Sequence, residues 1–497
     1  MDRRSLLKGI GGTVATMGLG SGAKGARAET VAKRPPNVLF ILPDEWRGQA
    51  LGCMGDPDVR TPHLDGLARD GVLMRNTLAN TPVCCPARSV MLTGTYASRT
   101  GMVANDLRLD EAEITLGDLF RQAGYRTGYV GKWHLDGGPR EPGFVPPGRR
   151  RHGFEWWAAN ECNHNYFYNW YFRDANEPIV TEKYEPEFWT DLAVEFLHES
   201  QQLEQRDKPF FLMLAIGAPH DPYLAPENYM KLYDPEKLTM EPNWVDGVRG
   251  GGRKDIAGYY SAITAIDDQV GRLLGTLREL NLEDDTIVLF SSDHGNMLGS
   301  QGELLKRKPW EESIRVPGIM RWPGRIPAGR RTDALVSHVD FAPTLLGLCG
   351  LPVPANMQGQ DLSAVVTGKR EAGPDAAFFQ IFGPSREGHV AAGWRAIRTE
   401  QHLYARYESG PWLLYDLQSD PYELKNLADE PAAGALRNEL DGKLSAWMER
   451  AGDSWALDWT VPVEDAGRLY TYRTFHTVAE YLAWAAQHPN LTPGANR

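Results

Sequence analysis

The sequence has few cysteines, no excess of basic charge and no low-complexity tract. Its five cysteines among 497 residues form no Cys-x-x-Cys pair, which excludes a disulfide framework and a zinc-finger spacing. The formal net charge of -12 is untypical of a nucleic-acid binder and argues against broad attraction to a polyanion. The composition is otherwise that of a globular protein, long enough for one large domain and a smaller one.

The N-terminus contains the three parts of an export signal. A twin-arginine pattern at Arg3-Arg4 precedes a weakly apolar stretch and an Ala-x-Ala-like cleavage site at residues 26–28. The apolar stretch is too short to span a bilayer. We therefore predict a twin-arginine signal peptide over residues 1–28, passage through the twin-arginine export machinery, and a periplasmic or secreted mature chain without stable membrane insertion.

Continuous apolar runs at residues 37–42, 209–216 and 286–292 are typical of strands buried on both faces, and residues 125–130 are predicted as a further short strand. Helical patterns alternate with these runs, which predicts an open α/β sheet with helices on both faces. Because the carboxyl ends of parallel strands meet at one edge, we expect the polar residues that follow each run to share a crevice. These residues are Asp44, Lys132, His134, His220, Asp293 and His294.

The segment Cys84-Cys85-Pro86-Ala87-Arg88 adds a possible nucleophile. Pro86 suits the first turn of a helix and Gly94 is a natural stop, so Cys84 should lie at a helix N-terminus. Backbone N–H groups favour an anion there, and Arg88 lies one turn later. A buried cysteine pair at the start of a helix is the alternative interpretation of this segment.

The pattern Cys84-x-Pro86-x-Arg88 resembles the signature of the type I, formylglycine-dependent sulfatases of the alkaline phosphatase superfamily. Further segments similar to that family follow in the same order: Gly-Lys-Trp-His at 131–134, Ala-Pro-His at 218–220, Asp-His-Gly at 293–295 and Lys-x-x-x-Trp-Glu at 306–311. The resemblance covers most of residues 36–430. It implies a large central, mostly parallel sheet sandwiched by helices, in a catalytic domain that we predict over residues 29–365.

For the site, the resemblance implies that a formylglycine-generating maturation enzyme oxidises Cys84 to formylglycine (3-oxoalanine). It also implies a calcium ion, with ligands at Asp44, Glu45, Cys84, Asp293 and His294. Glu45 stands where an aspartate is more usual, and His294 brings an imidazole to a hard cation that prefers oxygen.

The remaining catalytic roles are also implied by the resemblance. Arg88 would lower the pKa of the nucleophile, and Lys132 would bind the sulfate group. His134 would help to release the sulfated intermediate. His220 or Lys306 would protonate the departing alcohol.

Residues 139–186 have many aromatic and amide side chains without a helical or strand period, which predicts a long functional loop. Rings and amides of this kind suit sugars, and His164 is our candidate for a substrate contact. Packing of the aromatic residues onto the core is an equally open interpretation.

After about residue 363 the pattern changes to short alternating strands near 377–382, 391–399 and 402–407, with a helix near 432–450. We predict a smaller C-terminal α+β subdomain over residues 366–497.

The predicted function is hydrolysis of a sulfate ester on a carbohydrate or polysaccharide fragment. The expected substrate partner is a sulfated small molecule or glycan, and no nucleic-acid partner is expected. Two alternatives stay open. One is a phosphonate monoester or phosphodiester hydrolase of the same superfamily, because the pair Asp293-His294 also occurs there. The other is a catalytically silent glycan-binding protein on the same scaffold, against which the complete set of reactive residues argues.

Overall fold

The structure is a computed structural model that describes residues 34–137, 143–202, 204–382 and 392–455, together with the backbone of two strands at 459–465 and 468–475. The predicted signal peptide over residues 1–28 lies outside the described residues. No helix in the described part of the chain is long and apolar enough to cross a membrane.

Strands and helices alternate through the first two thirds of the chain. The strands are β1 (Asn37–Pro43), β2 (Val72–Leu78), β3 (Arg126–Lys132), β4 (Trp156–Asn160), β5 (Asn169–Tyr171), β6 (Ile179–Thr181), β7 (Phe210–Ile216), β8 (Thr286–Ser291), β9 (Arg315–Val316), β10 (Gly318–Arg321), β11 (Arg330–Ser337), β12 (Ala377–Ile381), β13 (Trp394–Arg398), β14 (His402–Tyr407), β15 (Gly410–Asp416), β16 (Trp459–Asp465) and β17 (Arg468–Phe475). The α-helices are α1 (Pro62–Arg69), α2 (Cys84–Thr93), α3 (Ala97–Thr100), α4 (Leu116–Gln122), α5 (Glu185–Glu199), α6 (Glu227–Met230), α7 (Arg253–Glu279), α8 (Glu311–Ile314), α9 (His338–Leu348), α10 (Ser363–Val366) and α11 (Gly434–Ala451).

The large sheet has nine strands in the order β11-β2-β10-β8-β1-β7-β3-β4, with β9 paired to β2. The five adjacent strands from β8 to β4 are all parallel, whereas β10 runs antiparallel to its neighbours β8 and β2. The predicted large, mostly parallel sheet is therefore confirmed. Its parallel centre brings the carboxyl ends of β1, β3, β7 and β8 to one edge.

Burial on both faces explains why the central strands read as continuous apolar runs. In β1, Val38, Phe40 and Leu42 pack into the core on one face of the sheet, and Leu39 and Ile41 pack into the core on the other. Successive side chains of a strand point to opposite faces, so a strand covered on both sides has no solvent-facing position to fill with a polar residue.

The segment interpreted as a loop over residues 139–186 contains regular structure, and that interpretation was wrong in part. Trp156–Asn160 form β4, the edge strand of the large sheet, and two short strands at Asn169–Tyr171 and Ile179–Thr181 pair with each other. The strand β4 has only five residues, pairs with β3 on one side and has a single bridge from Ala159 to Phe172 on the other, so it is too short to show as a long apolar run. The segment after β4 is thereby fixed at the same sheet edge as the other strand ends.

A separate four-stranded antiparallel sheet, in the order β12-β13-β14-β15, follows in the C-terminal third of the chain. Helix α11 contacts β12, β13 and β14 of this sheet. The predicted small α+β element is confirmed, and its fourth strand is Gly410–Asp416. Its side chains make their own core with residues that flank the large sheet, including Leu78, Val83 and Trp310.

Candidate active site

Cys84 is the first residue of α2 and lies in the interior, with 2% of its surface exposed. The helix ends at Gly94, whose φ of 63° is left-handed, as the sequence predicted. The Sγ atom lies 3.2 Å from Nε2 of His294 and 3.9 Å from Oδ1 of Asp44. The predicted nucleophile therefore stands at a helix N-terminus among groups from other strand ends.

The charges around Cys84 favour an anion. Burial and the Asp44 carboxylate raise the pKa of the thiol, but Lys132, Lys306 and His294 outweigh them and hold this pKa well below its usual range. Residue 84 therefore occupies a place where negative charge is stabilised by two lysines and an imidazole.

Two buried carboxylates and two buried cations surround this position. Arg88 donates from Nε to Asp293 Oδ2 at 3.0 Å and from Nη1 to the Lys132 carbonyl at 2.8 Å. Lys132 pairs with Asp44, whose Oδ2 lies 3.6 Å from Arg88 Nη2. Paired and hydrogen-bonded charges of this kind hold one another in place, because an unpaired charge in the interior would be strongly unfavourable.

The same residues offer a set of donors to a metal ion. Asp44, Cys84, Asp293 and His294 each present one ligand atom, and these atoms all lie within 4.8 Å of one another. His294 Nδ1 lies 3.0 Å from the Gly295 carbonyl, so in the neutral tautomer Nδ1 donates and the lone pair of Nε2 faces the cluster.

Glu45 gives a second reason to expect a cation. Its Oε1 atom is buried and has no hydrogen-bond partner in the described residues, while its backbone N–H donates to Asp293 Oδ1 at 3.1 Å. A buried carboxylate oxygen without a donor is unfavourable, and a bound divalent cation would satisfy it. The donor set thus fits a metal ion of the kind that the sequence implied.

Three further predicted residues form a connected group beside this cluster. Glu45 Oε2 lies 2.9 Å from both Lys306 Nζ and His220 Nε2, and these two nitrogens are 2.7 Å apart. His220 Nδ1 lies 2.8 Å from Asp221 Oδ1 on its other side. Burial lowers the pKa of His220, but Glu45 and Asp221 reverse this effect and raise it well above its usual range.

His134 is placed at the end of β3, two residues after Lys132, and is 2% exposed. Its Nε2 lies 3.3 Å from Asp106 Oδ1. Burial lowers the pKa of His134, but Cys162, Cys85 and Asp106 outweigh burial and raise this pKa well above its usual range. His134, Asp106 and Glu45 have left-handed backbones, with φ of 58°, 66° and 66°. Such conformations are uncommon outside glycine and cluster at functional sites.

The structure brings His164 to the site as well. Its ring stacks on that of His220, with 3.9 Å between centroids and 18° between planes. Its Nε2 lies 3.3 Å from Cys162 Sγ, and its Nδ1 is without a partner in the described residues. All eleven residues singled out from the sequence are therefore gathered at one edge of the sheet; their chemical roles stay predictions.

Sequence reasoning missed Cys162, Tyr166 and Glu185, which also line or support this edge. Cys162 is a buried thiol whose pKa is raised by burial but held well below its usual range by His134, Lys132 and His164. Cys162 was missed because β4 was not predicted. A predicted strand ending at Asn160 would have placed residue 162 at the edge where the other strands end.

Comparison with known proteins finds sulfatase relatives over the part of the chain that contains this site. A family model described as Sulfatase matches residues 36–351, and a second model, described as N-sulphoglucosamine sulphohydrolase, C-terminal, matches residues 299–450. An ulvan-active sulfatase from Formosa agariphila is 39% identical over 425 residues, which are 84% of this chain and 82% of that protein.

Solved structures share the fold over nearly their full length. A Bacteroides thetaiotaomicron structure, whose description refers to the metabolism of multiple glycosaminoglycans, has a TM-score of 0.77 and 28% identity and covers 85% of this chain and 98% of its own. The phosphonate monoester hydrolase of Agrobacterium radiobacter has a TM-score of 0.69 and 25% identity, with coverage of 84% and 96%. The first family match spans every residue of the cluster, from Asp44 to Lys306.

Proposed function

The chain belongs to the sulfatase family, and from this premise we propose that it removes a sulfate group from a carbohydrate or a polysaccharide fragment. As a member of that family it is a sulfuric ester hydrolase. One observation carries the proposal: Cys84 stands at the N-terminus of α2 where Lys132, Lys306 and His294 favour negative charge. A sulfate ester is an anion that such a place would accept.

The substrate class is supported by two independent lines. The names of similar proteins refer to ulvan and to glycosaminoglycans, which are polysaccharides. Phe167 and Tyr168, close in sequence to His164, are also exposed, at 41% and 49%. Exposed rings a few residues from a side chain of the site suit stacking on sugars.

We propose that a formylglycine-generating enzyme converts Cys84 to formylglycine, which when present supplies the nucleophilic oxygen. A calcium ion would be held by Asp44, Glu45, residue 84, Asp293 and His294, and would supply Lewis-acid stabilisation of charge on the sulfate oxygens.

The other residues act through charge and proton transfer. Lys132 and Lys306 bind the sulfate oxygens and stabilise the charge that develops on them. His220 Nε2 and Lys306 Nζ, 2.7 Å apart, are placed so that either can donate a proton to the leaving oxygen. His134, whose Nε2 lies 3.3 Å from Asp106, accepts a proton when the sulfate group is released.

Export through the twin-arginine machinery completes the proposal, with a periplasmic or secreted site of action. This system carries folded proteins, so that Cys84 can be modified before the chain is exported. The Arg3-Arg4 pattern and the following cleavage site support it.

The test is hydrolysis of 4-nitrophenyl sulfate by protein coexpressed with a formylglycine-generating enzyme. The Cys84→Ala variant should lose turnover by at least about 10⁴-fold, because the nucleophile is absent. The control is Cys349→Ala, which removes a partly buried thiol at the end of α9 and should leave turnover unchanged. Full activity of Cys84→Ala would contradict the proposal.

A phosphonate monoester hydrolase is the second candidate, favoured by the likeness to the Agrobacterium radiobacter enzyme and by the Asp293-His294 pair. Parallel assays on 4-nitrophenyl sulfate and on the 4-nitrophenyl ester of phenylphosphonate separate the two. We expect the higher kcat/KM on the sulfate ester, and the reverse order would select the second candidate.

A further inference from the structure

The turn that carries His220 is held by residues to which the mechanism above gives no role. Glu185 accepts the Gly217 N–H at 2.7 Å through Oε1 and the Ala218 N–H at 3.2 Å through Oε2. The indole N–H of Trp189 donates to the same Oε1 at 2.6 Å. A Cβ atom on residue 217 would lie 2.8 Å from Glu185 Oε1, so this close approach requires the glycine.

Tyr166 holds the same turn from another side. Its hydroxyl donates to the His220 carbonyl at 2.5 Å and lies 3.3 Å from the Gly217 carbonyl. The Tyr166 carbonyl in turn accepts the backbone N–H of Glu185 at 2.9 Å. The two residues therefore form hydrogen bonds with the backbone between Gly217 and His220, and they are hydrogen-bonded to each other.

Glu185 is an unusual choice for a purely structural position. It is 2% exposed, and its carboxylate accepts hydrogen bonds from three N–H groups rather than pairing with a cation. A buried carboxylate is unfavourable unless every oxygen is satisfied. Two of its three donors belong to the His220 turn, so the carboxylate specifies where that turn lies.

We propose that Glu185 and Tyr166 are positioning residues that hold His220 where it can donate a proton to the leaving oxygen. The inference rests on the proposed hydrolysis of a sulfate ester. Proton transfer requires the donor within hydrogen-bond reach of the leaving oxygen, and small displacements reduce it strongly. Loss of either contact lets the turn shift while Cys84, Lys132 and Arg88 stay in place.

The test compares a poor and a good leaving group. In the matured enzyme, Glu185→Gln and Tyr166→Phe should each lower kcat on phenyl sulfate by about tenfold or more, but on 4-nitrophenyl sulfate by less than about threefold, with KM little changed. The reason is that 4-nitrophenolate departs without help from an acid, whereas phenolate depends on one. A general loss of structure would lower both rates alike.

Matched controls come from the same helix and the same residue type. Glu187→Gln changes a carboxylate two positions along α5, and Tyr404→Phe removes a buried hydroxyl that bonds Asp441 beside the smaller sheet. Both should keep wild-type rates on the two esters. Thermal unfolding of all four variants verifies that each is folded.

Equal losses on the two esters, or no loss on either, would overturn the positioning role. Failure of the wild type to hydrolyse both esters and to release sulfate from ulvan and glycosaminoglycan fragments would instead refute the proposed function. The role of the two residues would then be decided by NMR of ¹³C-labelled histidines, with the His220 signal assigned from His220→Asn. Displacement of that signal in both variants but not in the controls would support the inference, and an unchanged signal would overturn it.

Discussion

The two sides of the active site are built differently. The nucleophile side consists of Asp44, Glu45, Cys84, Arg88, Lys132, Asp293 and His294, and the leaving-group side of His164, His220 and Lys306. On the nucleophile side every residue is at most 2% exposed and is fixed by strand ends or by α2. On the leaving-group side His220 is 9% exposed, and Lys306 stands in a loop whose neighbours Leu305 and Arg307 have left-handed backbones.

This difference predicts that substitutions on the two sides affect different properties of the protein. Residues on the nucleophile side are bound to one another as paired charges in the interior, so a substitution there disturbs both chemistry and folding. Residues on the leaving-group side stand on turns that border the cleft. We therefore expect changes there to alter the reaction while the fold is kept, and four experiments test the contrast.

The largest effect is expected for Arg88→Met. It removes the arginine that pairs with the buried Asp293, so turnover should fall by about 10²–10³-fold or more and the free energy of unfolding by about 3–5 kcal/mol. Steady-state kinetics and urea unfolding measure the two quantities. The control is Arg75→Met, which breaks an exposed pair with Asp333 and should cost less than about 1 kcal/mol. An equal loss of unfolding free energy in Arg88→Met and Arg75→Met would contradict the difference between the two sides of the site.

His220→Gln should lower turnover strongly while lowering the free energy of unfolding much less. We expect kcat on phenyl sulfate to fall by about 10²-fold, because a proton donor to the leaving oxygen is lost. The free energy of unfolding should fall by less than in Arg88→Met, since the turn keeps its bonds to Glu185 and Tyr166 and Glu45 keeps its pair with Lys306. A destabilisation as large as that of Arg88→Met would show that the sides do not differ.

The pH dependence of stability tests the buried carboxyl of Glu185. Burial raises its pKa to about 7 from 4.5, so between these values the folded protein binds a proton that the unfolded chain has released. Its contribution to stability is therefore present below pH 4.5 and is lost as pH rises towards 7, by up to about 3 kcal/mol. Urea unfolding of wild type and Glu185→Gln should diverge over this range. Parallel pH profiles would mean that Glu185 does not titrate there.

The smallest effect is expected for His294→Asn. An amide oxygen replaces the imidazole nitrogen near Cys84, and calcium prefers oxygen, so the calcium content per chain should stay the same. Elemental analysis of the purified protein measures it, with Asp293→Asn as the variant expected to lose the ion. Loss of metal from His294→Asn would mean that nitrogen is needed and that the ion is a softer one than calcium.

The sequence could predict the nucleophile side because most of its residues follow predicted strands, and because Cys84 and Arg88 stand at a recognisable helix start. Asp44 and Asp293 stand at the ends of β1 and β8, and a strand buried on both faces leaves a clear pattern. It could not predict β4, since a five-residue edge strand among aromatics has no such pattern. Cys162 was missed for that reason.

The role of Glu185 could not be predicted from the sequence for a different reason. An acidic residue at the start of a helix is ordinary and is explained by the helix dipole alone. Its contact with Gly217 joins residues 32 apart in the chain, and only the packing of α5 against β7 creates it. A side chain that positions a catalytic residue on a different element shows no pattern in the sequence around it.

The measurement that most directly tests the central role of Cys84 is the mass of the tryptic peptide Asn76–Arg88. The protein should be coexpressed with a formylglycine-generating enzyme, and fragmentation should distinguish Cys84 from Cys85. We expect a peptide lighter than the thiol form by the difference between a thiol and an aldehyde, with the change at residue 84. An unmodified thiol in a host shown to mature another sulfatase would contradict the account.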